Sequence, residues 1–419
     1  MEIKELTNDE FNRFVSKYSL SSMYQSVEYG LVMNNQKYEP LFVGLINDIG
    51  DIVAASLLLI EKLGQFQYAY APRGFLIDYT NKELLKSFTS EIKKFLKKKS
   101  VIAVKISPLI ARNKFTPSLN ITLANPSYDV IFNNLKILKY YHLGYNNNFE
   151  AFKPRFVALA NLESNSNKMF NLLSEDIKEK IHECDLAGIR IYKGSEENLN
   201  FVYEDLREKK EKSKEYVEDV YKFFNNTGKA EVYYAKLETK IFLVNTRTEY
   251  QKQVNICSEI TDELFQNQGK SNNDIIQKKI AEENKLQELK NQLVYATNLL
   301  RNNPDGVVVA STLVIKHNNQ IYVTLDGENE EFKYMHPKNI LIWKLMEKYA
   351  AEGYKEINLG GITNPNNDND EYKGLNEFKL GFNGSCIEYA GDFELITHAP
   401  LYLLYRNGAP FRKLTKKQN

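Results

Sequence analysis

Four consecutive side chains, His182, Glu183, Cys184 and Asp185, are all metal-ligand types. They fall in a segment that reads as helix, where successive side chains point about 100° apart, so they cannot close on one ion. The five histidines (His142, His182, His317, His336 and His398) are scattered, and none stands beside a serine or cysteine in a nucleophile pattern. No GxSxG elbow, HExxH pair, P-loop or dinucleotide fingerprint is present. Cys184, Cys257 and Cys386 form an odd set without a CxxC. They read as reduced thiols in a cytoplasm, not as zinc ligands or disulfides.

What remains is positive charge at defined places. Arg73 (in APRG) and Arg155 (in KPRF) each border a predicted strand, where a guanidinium can reach a cleft and match two phosphate oxygens at once. Each fits equally well as a structural arginine bonding loop carbonyls. Lys93, Lys94, Lys97, Lys98 and Lys99 close a helix, and Arg406, Arg412, Lys413, Lys416 and Lys417 crowd a C-terminal tail. Such clusters either complement helix dipoles or meet an anionic surface, lipid headgroups or RNA phosphates.

The whole chain is nearly balanced, with a net charge of +1, which argues against a dedicated duplex-binding protein. Hydrophobic residues at 43% and charged residues at 26% describe an ordinary soluble protein of two or more domains. The longest apolar run, nine residues, is too short for a bilayer. The start, MEIKELTNDEFNRF, is charged and helix-like from its first residues, so no signal peptide is expected.

The elements that must position these groups occur twice. Residues 52–60 (IVAASLLLI) and 307–315 (VVVASTLVI) match at five of nine positions. Each follows an extended run (38–48; 230–238) and precedes a second strand, an amphipathic helix (82–99; 338–354) and a closing strand (101–107; 356–361). In the first copy the leading strands are joined by the short turn Ile49-Gly50-Asp51. In the second, 66 residues from Lys240 to Asp305 replace that turn.

This insertion reads as an antiparallel coiled-coil arm. One seam is Tyr250, Val254, Cys257, Thr261, Leu264 and Gln268; the other is Leu286, Leu289, Leu293, Ala296 and Leu300. Gly269 marks the turn between them. Eight basic and eight acidic residues over 246–302 make it a solvated hairpin rather than a funnel for nucleic acid. Between the copies, a strand at 154–163, a helix at 166–187, a strand from Ile189 to Tyr192 and helices at 195–212 and 215–226 are expected.

This order resembles the acetyltransferase fold. That fold needs a glycine-rich loop to cradle the coenzyme A pyrophosphate. Residues 74–78 and 332–337 stand there instead; neither is glycine-rich, and Pro337 removes a donor.

The stretch 358–405, NLGGI followed by EYKGLNEFKLGFNGSCIEYAGDFELITHAPLYLLY, resembles the signature of the FemABX family of aminoacyl-tRNA-dependent peptidyltransferases. MYQSVEYG (23–30), YAPRG (70–74), KPRFVALANL (153–162) and DLAGIRI (185–191) appear in the family's order. The resemblance covers essentially the whole chain, and the arm resembles that of the subgroup acting on lipid-linked precursor.

It implies an α/β fold of two acetyltransferase-like domains. The first would span 1–127. The linking region and second domain would span 128–239 and 306–405, with the arm at 240–305 and a basic tail at 406–419. It implies a cytoplasmic enzyme without a cofactor, peripheral at the membrane, that moves an amino acid from aminoacyl-tRNA to the peptide of lipid-linked peptidoglycan precursor. It would work alone or paired with itself or a related transferase. Glycine is the commonest donor for arm-bearing members, with alanine and serine open. A non-catalytic scaffold binding precursor or tRNA, or an N-acyltransferase with another donor, are the alternatives.

By the same resemblance Lys379 lies in the active site; the expected substrate contacts are Phe378, Tyr70, Arg73, Arg155, Lys37 and Tyr322. Lys37 is the nearest basic substitute for a phosphate-contacting lysine that aligns with Leu31 or Met33. The chain departs from the family elsewhere. Ser107-Pro108 replaces an Asp-Pro pair, Glu179 interrupts the basic run within Ile177–Ile181, and Val323 and Leu325 replace an aromatic pair beside Tyr322.

Overall fold

The computed structural model describes residues 1–208, 213–266, 272–367 and 371–408. The arm's turn at Gly269 and the tail residues Arg412, Lys413, Lys416 and Lys417 lie outside the described residues.

In chain order the strands are β1 (Glu2–Glu5), β2 (Glu39–Ile46), β3 (Ile52–Leu63), β4 (Phe66–Arg73), β5 (Val101–Pro108), β6 (Ala111–Phe115), β7 (Ile121–Ala124) and β8 (Tyr140–His142). There follow β9 (Phe156–Asn161), β10 (Ile189–Gly194), β11 (Ala230–Leu237), β12 (Val307–His317), β13 (Gln320–Glu328), β14 (Glu356–Ile362), β15 (Gly384–Tyr389) and β16 (Phe393–Ile396). They make two sheets, ordered β1-β2-β3-β4-β5-β16-β8 and β10-β11-β12-β13-β14-β9-β15-β6-β7.

The duplication is visible in the topology. Each sheet opens with four antiparallel strands and adds a parallel fifth, β5 beside β4 and β14 beside β13. A parallel neighbour needs a crossover, supplied by the helices Lys82–Lys98 and Pro337–Ala351. The matching nonapeptides are the central β3 and β12. They are buried on both faces, which is why they read as continuous apolar runs.

Each sheet then borrows strands across the expected boundary at 127/128. β6 and β7 join the second sheet, while β8 and β16 complete the first. A division by residue number therefore does not separate the sheets. One core cluster also spans both copies, packing Tyr29, Leu57 and Tyr70 with Val220, Leu313 and Tyr322.

Three local expectations change. The chain starts as a strand, with Ile3 buried; the first helix, Asn8–Val15, begins only where Thr7 and Glu10 form a capping box. The expected helix at 166–187 is two, Ser166–Asn171 and Glu175–Leu186, because Ser174 caps the second and bonds the Gly381 carbonyl. The expected helix from 195 begins as a 3-10 turn, Glu196–Leu199, before Asn200–Glu208.

The insertion is a pair of antiparallel helices, Thr239–Gln266 and Asn273–Asn302, closed at its base by Thr239 Oγ1 donating to the Asn303 carbonyl at 2.7 Å. Gln253 reaches across to the Glu282 carboxylate at 2.6 Å. Phe242, Ala296 and Leu299 at its base belong to the second domain's core. Excising 241–304 is thus expected to remove core volume at about 2–5 kcal/mol for each large side chain. Replacing only 250–290 by a Gly-Ser turn spares the base and should keep a cooperative transition near the parent Tm. Equal melting of the two deletions would contradict this division.

The copies are also tied by polar contacts. His317, the last residue of β12, shares a 3.1 Å hydrogen bond with Ser21, and Asn318 donates to Ser21 and to the Val15 carbonyl. Burial, with Lys229 nearby, pulls the His317 pKa from 6.5 down to about 4. The unfolded chain then binds the extra proton first, so stability rises with pH between about 4 and 6.5. Below that window about 3 kcal/mol is lost. His317→Gln should flatten this part of the Tm-versus-pH curve; an unchanged slope would overturn the assignment.

Candidate active site

The two parallel pairs differ at their ends. β4 and β5 stay paired to the end, in continuous register from Tyr68 and Ala103 to Arg73 and Pro108 after one shift at Gln67. β13 and β14 pair only at Ile321 with Ile357 and at Tyr322 with Asn358. Beyond Asn358, β14 carries an irregularity against β9, and Gly360 takes φ +82°, which glycine adopts without strain. The strands part there, and the fork leaves backbone groups free of the sheet ladder.

The helix Lys373–Leu380 delivers Lys379 to this fork. Asn376 pins the helix to the end of β14, with Nδ2 donating to Thr363 Oγ1 at 2.8 Å and Oδ1 accepting from the Thr363 N–H. Lys379 Nζ donates to the Gly361 carbonyl at 2.8 Å. A Cβ on Gly360 would lie 3.6 Å from that Nζ and 3.3 Å from Thr324. Phe378, half-buried, packs edge-on to Phe382 at 5.4 Å against the second domain's core.

The wall beside the fork is the segment Phe152–Arg155. Phe152 lies edge-on to Tyr70 at 4.8 Å. Lys153 is buried, with Nζ 3.4 Å from the ring centre of Tyr24 and 3.2 Å from Tyr29 Oη. This cation–π seat lets an ammonium stay in a dry place. Arg73 donates to the Pro154 carbonyl at 2.8 Å and stacks on Tyr389. A Cβ on Gly361 would meet Pro154 at 2.6 Å, so this wall abuts the Lys379 fork. Tyr322 lies edge-on to Tyr24 at 6.3 Å, donates to Gln320 Oε1 and has its Oη 3.3 Å from Ser22 Oγ. Burial pushes the phenols of Tyr29, Tyr70 and Tyr322 well above their ordinary range.

Five of the seven residues expected from sequence meet here: Lys379, Phe378, Arg73, Tyr70 and Tyr322. The remaining two stand elsewhere. Arg155 is 6% exposed and turns away, donating to the Asn146 carbonyl and to Glu388 on β15, which also receives Arg112 and Asn113. In this position its guanidinium holds the fold. Lys37 lies past the helix Val27–Asn35, whose other end carries Tyr29, and is exposed at the far end of the first sheet.

The departure at Ser107 has a local counterpart. Ser107 Oγ is 2.8 Å from Tyr70 Oη and donates at 2.6 Å to Asp392, on the turn before β16, which also pairs with Lys105 at 2.9 Å. A carboxylate therefore reaches this strand end from a neighbouring segment. Lys153, Tyr24 and Asp392 were missed in sequence. Lys153 and Tyr24 stand in segments that resemblance marked, but nothing local announces a buried ammonium.

The coenzyme A loop has no counterpart in the second copy. Residues Glu330–Met335 form a 3-10 turn, His336 is left-handed and Pro337 starts the helix. Cys184 lies against this turn, its Sγ 3.0 Å from the Met335 carbonyl, with burial pushing its thiol up to about 12. Two grooves lie elsewhere. One of about 450 Å³ runs along β10, where Arg190, Lys193, Lys344 and Lys348 each pair with a carboxylate. One of about 400 Å³ sits over Arg155, Glu388 and Asn364.

The sequence profile of the FemAB family matches residues 6–407. The aminoacyltransferase FemA of Staphylococcus epidermidis is 24% identical over 425 residues, covering 99% of this chain and 100% of that protein. A lipid II:glycine glycyltransferase of Staphylococcus aureus is 25% identical over 435 residues, covering 99% and 97%. Among solved structures, FemX superposes with a TM-score of 0.73 at 21% identity, covering 96% of this chain and 99% of that one.

Proposed function

The chain belongs to the FemAB family, and from that premise we propose that it is an aminoacyltransferase that extends the peptide of lipid-linked peptidoglycan precursor. Glycine is the residue added and aminoacyl-tRNA the donor. The observation that carries this reading is Lys379, held beside a parallel pair that parts in the second copy and stays closed in the first.

The chemistry asks for little more. An aminoacyl ester is already activated, so a neutral amine of the precursor attacks its carbonyl carbon and gives a tetrahedral oxyanion. The bond to the ribose oxygen then breaks, that oxygen leaves with the proton lost by the amine, and an amide remains. Lys379 stabilises the oxyanion, and no covalent enzyme intermediate is needed. Lys153 and Arg73 supply positive charge along the adjacent wall, where a phosphate-bearing substrate can lie. The 3-10 turn and Pro337 offer no row of N–H groups for a pyrophosphate, which supports a donor other than acetyl-CoA. Among the described residues no helix is long and apolar enough to cross a membrane.

The test is incubation with lipid-linked precursor and tRNA charged in turn with glycine, alanine and serine, read by product mass. One added glycine is expected. Silence with all three, with precursor still bound, would leave a scaffold in place of an enzyme.

A further inference from the structure

The first sheet has two ends, and only one faces the site. Arg73, Ser107 and Asp392 mark the cleft end. At the other end, about 23 Å away along β5, the topology gathers the β3–β4 hairpin tip, the end of the helix Lys82–Lys98, the end of the helix Tyr128–Ile137, and the exit of β16 into the helix Ala399–Gly408. Each of these carries exposed cations: Lys62, Lys97, Lys98, Lys136, Lys139 and Arg406. Lys37, displaced from the cleft, stands at this end too, because Glu39 pairs with Ile60. Acidic residues at this rim are fewer. Glu91 and Glu5 are paired with Lys94 and Lys99, and Glu39 and Glu61 remain.

Apolar side chains project from the same rim. The helix Ala399–Gly408 is anchored by Tyr402 and Tyr405, buried against Ile102 and Ala103, with Tyr402 donating to Glu394. That anchoring turns Leu403 and Leu404 outward, at 55% and 62% exposure, and Ile137 at the neighbouring helix end is 61% exposed. A single exposed leucine is ordinary. Protruding aliphatic side chains at a sheet end that also carries lysines match what an anionic bilayer surface recognises.

We propose that this end of the first sheet is a docking face for anionic lipid bilayers. Lysines and Arg406 meet the headgroups, and Leu403, Leu404 and Ile137 enter the acyl boundary. The proposal rests on the reading above only for the purpose of docking: the acceptor is lipid-linked, and its pyrophosphate, sugar and extended peptide would span the distance from bilayer to cleft. RNA is the competing partner for the same charges, but protruding aliphatic chains offer it no stacking surface.

The test is flotation of the full chain with vesicles of phosphatidylcholine alone and with added phosphatidylglycerol, beside binding of uncharged tRNA. The parent should float only with anionic vesicles and be released by salt. Lys97→Glu/Lys98→Glu/Lys139→Glu should weaken vesicle binding about a hundredfold. Leu403→Asp/Leu404→Asp should weaken it at least about tenfold while leaving tRNA binding unchanged. Both variants should keep the parent Tm and the parent rate on an acceptor lacking its lipid tail. Parent-like flotation of either variant would overturn the face, as would a charge-reversed variant that loses tRNA and keeps vesicles. Flotation reads docking without turnover, so failed transfer with intact flotation would remove the proposed function and leave the face standing.

Discussion

Lys379→Ala is expected to lower turnover by about 10²–10³-fold, the usual scale for losing one oxyanion-stabilising group. The ammonium is held by the Gly361 carbonyl at the point where β14 leaves β13, a position fixed by Asn376 and Thr363 rather than by solvent. Precursor affinity should change little, so the loss appears in kcat more than in KM. Stability should fall by about 1 kcal/mol for the lost bond to a carbonyl. Lys379→Arg should not restore the rate, because a planar fork beside Gly360 places its charge differently. Near-normal turnover in the alanine variant would make Lys379 a tie between helix and strand and nothing more.

The second large effect concerns stability. Arg155 and Glu388 are a buried pair with side-chain exposures of 5% and 4%. Glu388→Gln should cost about 3–5 kcal/mol, because it leaves a guanidinium buried without its counter-charge. Arg155→Met/Glu388→Leu should recover most of that loss, since removing both charges removes the penalty. Chemical denaturation of the two variants and the parent measures it. A Glu388→Gln protein that melts normally yet fails to bind precursor would return Arg155 to substrate contact.

How much of this was legible depended on whether the signal was local. The nonapeptide repeat exposed the duplicated order of strands because central strands are apolar whichever neighbour they meet. Lys379 was legible only through its motif; a half-buried lysine on a short helix has no periodicity of its own. The exchange of β6, β7, β8 and β16 between sheets was not legible, because three to five residues carry no pattern naming a partner. The same holds for Asp392, far from Ser107 in sequence, and for the cation–π seat of Lys153. Lys37 stands apart for a simple reason. It lies eight residues after Tyr29, and a helix carries that spacing about 12 Å along its axis, away from the cleft.

Acyl transfer from tRNA is assigned to the parted strands of the second copy. Its most direct measurement is the movement of label from radiolabelled glycyl-tRNA to lipid-linked precursor, with unlabelled acetyl-CoA in excess. Label should appear in the precursor at a rate acetyl-CoA does not change. Precursor that stays unlabelled in this mixture but becomes acetylated would contradict it.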